Sequence, residues 1–286
     1  MFRSTVQLLR LPFSFFLLPV YLFALSQVKD PAPVRALLIF VIWHLLVYPA
    51  SNGYNSYMDR DTGPIGGLKA PPMPTPWLFR VTLAMDVLAV ILSFCVSPVF
   101  GCCCLAYIGA SRAYSYRGLR LKRFPWLGYG TVVVFQGAVV FAATYHGCSR
   151  DLTLHIPVAP VVASSLLIGG FYPLTQVYQH EADARDGVRT VSAVLGYTGT
   201  FLFCGLVYLA GFAVLALYFA RIHQVIRFLS IQAFFLPVLI YFVAWFSGVR
   251  KDHRKADHVH TMRMNWLAAA AANAAFGTLL IWSQFE

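Results

Sequence analysis

Apolar stretches of about the 20 residues needed to cross a bilayer alternate with short polar segments along the whole chain. Their cores lie at 9–27, 35–54, 77–97, 98–113, 127–147, 157–178, 199–221, 225–248 and 264–284. The fourth is short, and its boundary with the third falls within Ser97–Gly101. Inside hydrocarbon every peptide group must find its hydrogen bond within the segment, so runs of this length and continuity are helices. The pattern predicts an all-α, polytopic membrane bundle of about nine transmembrane helices, one integral-membrane unit over residues 1–286. No solenoid-type repeat is present.

Composition agrees with that reading. Charged residues make up 12% of the chain and hydrophobic ones 59%, whereas a soluble domain carries about 25% charged residues. The six cysteines form no disulfide framework, because Cys102, Cys103 and Cys104 are consecutive in an apolar run and act there as small apolar side chains. Arg3 and Arg10 ahead of an apolar run, with "ALS" at Ala24–Ser26, have the outline of a signal peptide, but the later spans anchor the chain in either case.

The net charge of +11 would by itself fit a nucleic-acid binder. Its distribution fits a membrane protein better. With the N-terminus inside and nine crossings, only Lys29, Arg35, Arg150, Arg221 and Arg227 among the 22 basic residues fall outside. The charge therefore orients the chain with its N-terminus cytoplasmic and its C-terminus outside, in a bacterial inner (plasma) membrane. The partner is the lipid bilayer, with no nucleic acid and no obligate protein partner in evidence.

Eleven acids are few enough to place one by one. Asp59 and Asp61 follow the second span, and Glu181, Asp183 and Asp186 follow the sixth. Aligned, Asn55-x-x-x-Asp59-x-x-x-Gly63 and Gln179-x-x-x-Asp183-x-x-x-Gly187 share one pattern. On a helix the i, i+4 spacing puts amide and carboxylate on one face, roughly 5–6 Å apart at Cβ. The two segments emerge on the same membrane side, which predicts two pseudo-repeated halves with facing helix ends. Carboxylates this near lipid need partners, and opposed oxygen ligands suit Mg2+ bound with phosphate oxygens.

These residues resemble the UbiA-type intramembrane prenyltransferases, bundles of nine helices with aspartate-rich motifs after helices two and six. "NGYNSYMDRDTG" with "LKAPPMPTP" resembles the first motif, and "YPLTQVYQHEADARDGVRTVSAVLG" the second. "YSYRGLRLKRF", Tyr114 to Phe124, is similar to the basic segment between helices four and five, and "RLPFSFFLLPVYLFAL" to the opening of the first helix. The resemblance implies Mg2+-dependent transfer of a prenyl group from a polyprenyl diphosphate to a second small molecule, an aromatic or lipophilic acceptor, at the cytoplasmic membrane face. It assigns catalysis to Asp59 and Asp183, and metal ligation to Asn55, Asp59, Gln179, Asp183 and Asp61, with Glu181 a possible second. It implies that Lys69, Lys122, Arg117 and Arg120 bind diphosphate. Tyr57 and Tyr178 would shield the prenyl cation through their ring faces. Ser56, Gly63 and Gln179 stand where the family commonly has acids.

A second reading keeps the same pockets without chemistry: a transporter or a lipid- or anion-binding protein. Pro49 and Pro173 would kink two helices in either case. Asp86, inside the third span, must face protein or water. His253, His258 and His260 match no zinc spacing and are expected as solvated loop residues. His44 is expected as hydrogen-bonded core, and Asn265 and Asn273 as bonds between helices.

Overall fold

The computed structural model describes residues 2–285. Its helices are α1 (Phe2–Phe16), α2 (Leu18–Ser26), α3 (Pro33–Asp59), α4 (Pro76–Val96), α5 (Pro98–Ser115), α6 (Pro125–Cys148), α7 (Val158–Arg185), α8 (Val191–Arg221), α9 (Val225–Lys251) and α10 (His258–Trp282). Seven of them, α3, α4 and α6 to α10, are long and apolar enough to span a membrane. The pair α1 and α2, bent by 41°, makes an eighth candidate. The remaining predicted crossing, the fourth, is α5, which does not pass the same test. Its polar last turn, with Ser111, Arg112 and Ser115, dilutes an otherwise apolar run. It nevertheless packs inside the bundle, against α3, α4 and α6.

Helix starts follow simple chemistry. Pro33, Pro76, Pro98 and Pro125 each open a helix, where the missing N–H costs nothing and φ is preset. Ser97 separates α4 from α5 and caps the latter, accepting from the Phe100 N–H at 3.0 Å. At the other end of α3 the last turn closes on Arg60 in the left-handed region.

Four irregularities shape the interior. In α3 a π-helical turn over Val41–Val47 precedes Pro49 and accommodates a residue that cannot donate its N–H. In α6 a second π turn, Val133–Val139, contains Gly137. A Cβ there would lie 2.5 Å from the Ser165 Cα, so α6 and α7 meet backbone to backbone. In α7, Pro173 falls at the start of a 3-10 stretch, Tyr172–Gln179, before α-helix resumes at His180–Arg185. Residues i and i+3 eclipse in a 3-10 helix, so Gln176 and Gln179 form one row and Tyr172, Thr175 and Tyr178 another. Gly196 interrupts α8 with a φ of 66°, and the Thr200 hydroxyl binds its carbonyl at 2.7 Å.

One cluster of buried apolar residues runs from Val20 on α2 to Leu279 on α10. The alanine-rich α10 packs on α2, with the Phe276 and Phe23 rings stacked 4.6 Å apart. Leu202, Leu206, Leu209 and Leu217 on α8, with Leu236, Leu239, Ile240 and Val243 on α9, point outward and form a lipid-facing surface. Asp86 on α4 faces the protein, one of the two surroundings expected, and forms an ion pair with Arg112 of α5, whose guanidinium lies 3.8 Å over the Tyr54 ring. Asn273 bonds between helices, to the Phe15 carbonyl at 3.0 Å. Asn265 does not. Its side-chain nitrogen reaches only Met262 of its own helix. His44, as expected, is buried and hydrogen-bonded, 2.6 Å from Ser14.

Candidate active site

The ends of α3 and α7 line one cavity of about 360 Å³, within the usual range of roughly 300–1,000 Å³ for ligand pockets. Asn55, Asp59 and Asp61 contribute from the first acidic segment, and Tyr178, Gln179 and Asp183 from the second. Below this polar mouth the walls turn apolar, with Phe23, Phe135, Phe171, Tyr208, Phe235 and Phe276. The cavity is therefore amphipathic along its length.

Cations from the loop between α5 and α6 hold the mouth together. Lys122 Nζ lies 2.5 Å from Asp59 Oδ2. Arg120 lies 3.7 Å from Asp59 Oδ1 and forms an ion pair with Asp186, so one guanidinium ties the two acidic segments to each other. Asn55 donates to Asp59 at 2.9 Å and to Ser115 at 3.0 Å, which fixes the amide and carboxylate side by side as the i, i+4 spacing requires. Burial raises the Asp61 carboxyl above the ordinary carboxylate range, the charge of Asp59 pushes the same way, and Lys122 and Arg10 oppose both.

Some expected residues lie elsewhere. Tyr57 packs against Phe79, with ring centroids 5.3 Å apart, beside the small cluster of Leu8, Leu9 and Leu78, and does not line the cavity. It points to the opposite side of α3 from Asn55 and Asp59. Lys69 and Glu181 are exposed and outside the lining. Arg117 is exposed and donates to the Met58 carbonyl at 2.7 Å, so it closes the end of α3 rather than facing the cavity.

Other lining residues were not singled out as ligands by the sequence. Arg10 lines the mouth and donates to the Gly66 carbonyl at 3.1 Å and to Asn52 Oδ1 at 3.3 Å, binding α1 to the loop after α3. A Cβ on Gly66 would fall 2.8 Å from the Phe13 ring, so any other residue here would push that ring aside. The hydroxyls of Tyr114 and Tyr172 bond each other across α5 and α7. The histidine loop is more involved than a solvated segment. His258 sits 3.2 Å from the Ile65 carbonyl, with its ring edge-on to Tyr178, while His253 contacts Tyr197 and His260 bonds Asp257.

The donor set suits a hard cation. Every potential ligand is a carboxylate or amide oxygen, and Asp59 Oδ1 is buried without a hydrogen-bond partner. Among the described residues, no three His, Cys, Asp or Glu side chains are gathered as a metal cluster, in keeping with Lys122 and Arg120 resting against Asp59.

The fold, the paired acidic segments and the amphipathic cavity agree with a comparison over most of the chain. Residues 15–277 match the UbiA prenyltransferase family. The chain belongs to that family. Its structure is similar to a UbiA homolog from Archaeoglobus fulgidus bound to DMAPP and Mg2+, at 18% identity and a TM-score of 0.70 over 97% of this chain and 99% of that one. A homolog from the same organism bound to GPP and Mg2+ matches at 17% identity and a TM-score of 0.69, covering 97% and 99%. An apo UbiA homolog from Aeropyrum pernix K1 matches at 16% and a TM-score of 0.71, covering 96% and 99%. At such identities the UbiA likeness to solved structures establishes the polytopic fold. Among curated protein sequences none matches the chain.

Proposed function

We propose that this UbiA-family protein transfers a prenyl group from a prenyl diphosphate to a lipophilic or aromatic acceptor, with Mg2+, at the cytoplasmic face of the membrane. The observation that carries the reading is the meeting of Asp59, Asp61 and Asp183 at the polar mouth of a cavity whose interior is aromatic and apolar. A prenyl diphosphate has the same division, a polyanionic head on an apolar chain. Similar folds from Archaeoglobus fulgidus hold DMAPP or GPP together with Mg2+, and the clustering of Lys and Arg in the cytoplasmic segments supports the orientation.

In this mechanism Asn55, Asp59, Asp61, Gln179 and Asp183 would hold Mg2+, which supplies charge neutralisation to the leaving diphosphate. Lys122 exchanges its bond to Asp59 for a phosphate oxygen, Arg10 adds countercharge at the same rim, and Arg120, outside the lining, holds Asp59 and Asp186 together. The C–O bond of the allylic diphosphate breaks, its electron pair leaving with the diphosphate, as the acceptor's electron pair attacks the allylic carbon, and the proton that the acceptor sheds passes to the released diphosphate. The aromatic faces of Phe171, Tyr172 and Tyr178 stabilise the positive charge that develops there and keep water away. Tyr57 and Lys69 have no part, because neither reaches the cavity.

The test uses purified protein with labelled geranyl or geranylgeranyl diphosphate and bacterial lipid extract, with and without Mg2+. A labelled prenylated product that disappears in Asp59→Ala and Asp183→Ala is expected. Tight diphosphate binding with no product from any acceptor would replace this reading with the non-catalytic one, a transporter or anion-binding protein.

A further inference from the structure

A second face of α10, distinct from the one that lines the cavity, carries a shallow groove formed by His258, Met262, Arg263, Trp266, Leu267 and Ala270. Arg263, Trp266 and Ala270 are exposed and follow one another at spacings of three and four residues, so they make one stripe. The Trp266 ring leans on Phe15 and Phe16 of α1, with centroids 5.6 and 4.9 Å away, and Arg263 lies beside the Tyr241 hydroxyl of α9. Neighbouring helices thus hold both side chains in place.

The groove changes character along its length. Arg263 stands near the end of α10 that shares the acidic mouth, where His258 meets Ile65 and Tyr178. Ala270 lies about 10 Å deeper along the helix. Headed by a guanidinium and continued by Trp266, Leu267 and Ala270, the groove has the polar-to-apolar order of a phospholipid, and an indole is at home at the level between headgroup and acyl chain. The surrounding charge says which phospholipid. The segment from the end of α9 to the first turns of α10 carries Arg250, Lys251, Arg254, Lys255 and Arg263 against Asp252 and Asp257. Arg254 pairs with Asp252, and His260 with Asp257. Among the described residues Arg250, Lys251, Lys255 and Arg263 have no ion pair, and all four are exposed. Such cations beside a membrane helix attract headgroups of net negative charge, each strengthening the attraction about fivefold.

We infer that this groove binds one phospholipid of net negative headgroup charge, with its phosphate on Arg263 and an acyl chain along Trp266, Leu267 and Ala270. The site stands whether or not the protein transfers a prenyl group. It also reaches the cavity's rim. His258 lines the groove while its ring sits 3.2 Å from the Ile65 carbonyl and edge-on to Tyr178. A lipid seated in the groove packs against that ring and so steadies the loop after α3, which carries Asp61.

The experiment uses the full chain in detergent, titrated with phosphatidylglycerol, phosphatidylcholine or glycerol phosphate, with native mass spectrometry reading the bound species. One phosphatidylglycerol is expected to be retained, with a Kd at least about tenfold below that of phosphatidylcholine. Arg263→Gln is expected to weaken its binding at least about fivefold. Ala270→Trp, a change on the exposed stripe that fills the groove, is expected to remove the preference between the two lipids. Hydrogen exchange over residues 61–68 is expected to slow at least about twofold with phosphatidylglycerol bound and to stay unchanged with phosphatidylcholine. Equal affinities for the two lipids, a preference that survives both substitutions, or glycerol phosphate binding as tightly as phosphatidylglycerol would each overturn the site. Unchanged exchange with phosphatidylglycerol bound would overturn its link to the loop.

Discussion

Replacing Lys122 by Gln separates two roles that the structure assigns to one ammonium group. Lys122 is 2.5 Å from Asp59 Oδ2, and the two side chains are 12% and 5% exposed. At an effective dielectric of about 20, a charge pair some 4 Å apart is worth about 4 kcal/mol before desolvation is subtracted. In the resting protein that attraction competes with any cation approaching Asp59. In the loaded protein the same ammonium is needed by a phosphate oxygen, where a hydrogen bond to a charged group contributes about 1.5–3 kcal/mol. Lys122→Gln is therefore expected to weaken binding of geranyl S-thiolodiphosphate by about 10- to 150-fold at saturating Mg2+, measured by calorimetry. Binding of Mn2+ alone, followed by its EPR signal, is expected to tighten. The variant stays folded, because Asp59 keeps the Asn55 bond at 2.9 Å and Arg120 at 3.7 Å. Loss of Mn2+ affinity in parallel with diphosphate affinity would refute the reasoning, since it would make Lys122 a support of the acidic site and not its competitor.

Three other outcomes are expected. Asp86→Ala strands the Arg112 guanidinium between α4 and α5 and should cost about 3 kcal/mol, with Asp86→Ala/Arg112→Leu recovering most of it in detergent unfolding; equal losses in both would show that the pair carries no such coupling. Asp61 holds its proton more tightly folded than unfolded, so its contribution to stability is present at low pH and is lost as pH rises through its raised pKa. A cation needs the deprotonated form, so Mn2+ affinity should climb with pH over a limb lying above the ordinary value of about 4; that limb should move in Asp61→Asn, and an unmoved limb would assign it to another group. Gly137→Val must push α6 away from α7, because its Cβ would fall 2.5 Å from the Ser165 Cα, and should destabilise by at least about 1–3 kcal/mol, read as a lower Tm.

Much of the architecture is written in the one-dimensional pattern, because lipid forces apolar runs into helices whatever their neighbours. The acidic segments were legible for a similar reason: charges are so few that a pair of matched amide-and-Asp spacings stands out. The first helix was less legible. Its run from Leu11 to Leu25 is almost wholly apolar, yet it bends by 41° between Phe16 and Leu18, just before Pro19, and no hydropathy average registers such a bend. Arg10 itself looks like any cytoplasmic arginine until the fold places the loop at Gly66 beside it. Tyr57 shows the opposite failure, since two residues beyond Asn55 is enough to turn a side chain to the other face of a helix. Asn265 was misread because a lone amide in a membrane helix is ordinarily satisfied by a neighbouring helix. In the fold it lies instead along the cavity wall, with its amide nitrogen reaching only Met262 of its own helix.

The resting ion pairs at the mouth also bear on how the protein comes to exist. A cluster of acids at the lipid boundary that depended on divalent ions for charge balance would leave a newly inserted chain unstable until such ions arrived. Here the loop between α5 and α6 brings its own counter-ions, Lys122 and Arg120, to Asp59 and Asp186. Insertion and folding can then finish without metal, and a shortage of magnesium in the cell would slow turnover while leaving the amount of protein in the membrane unchanged.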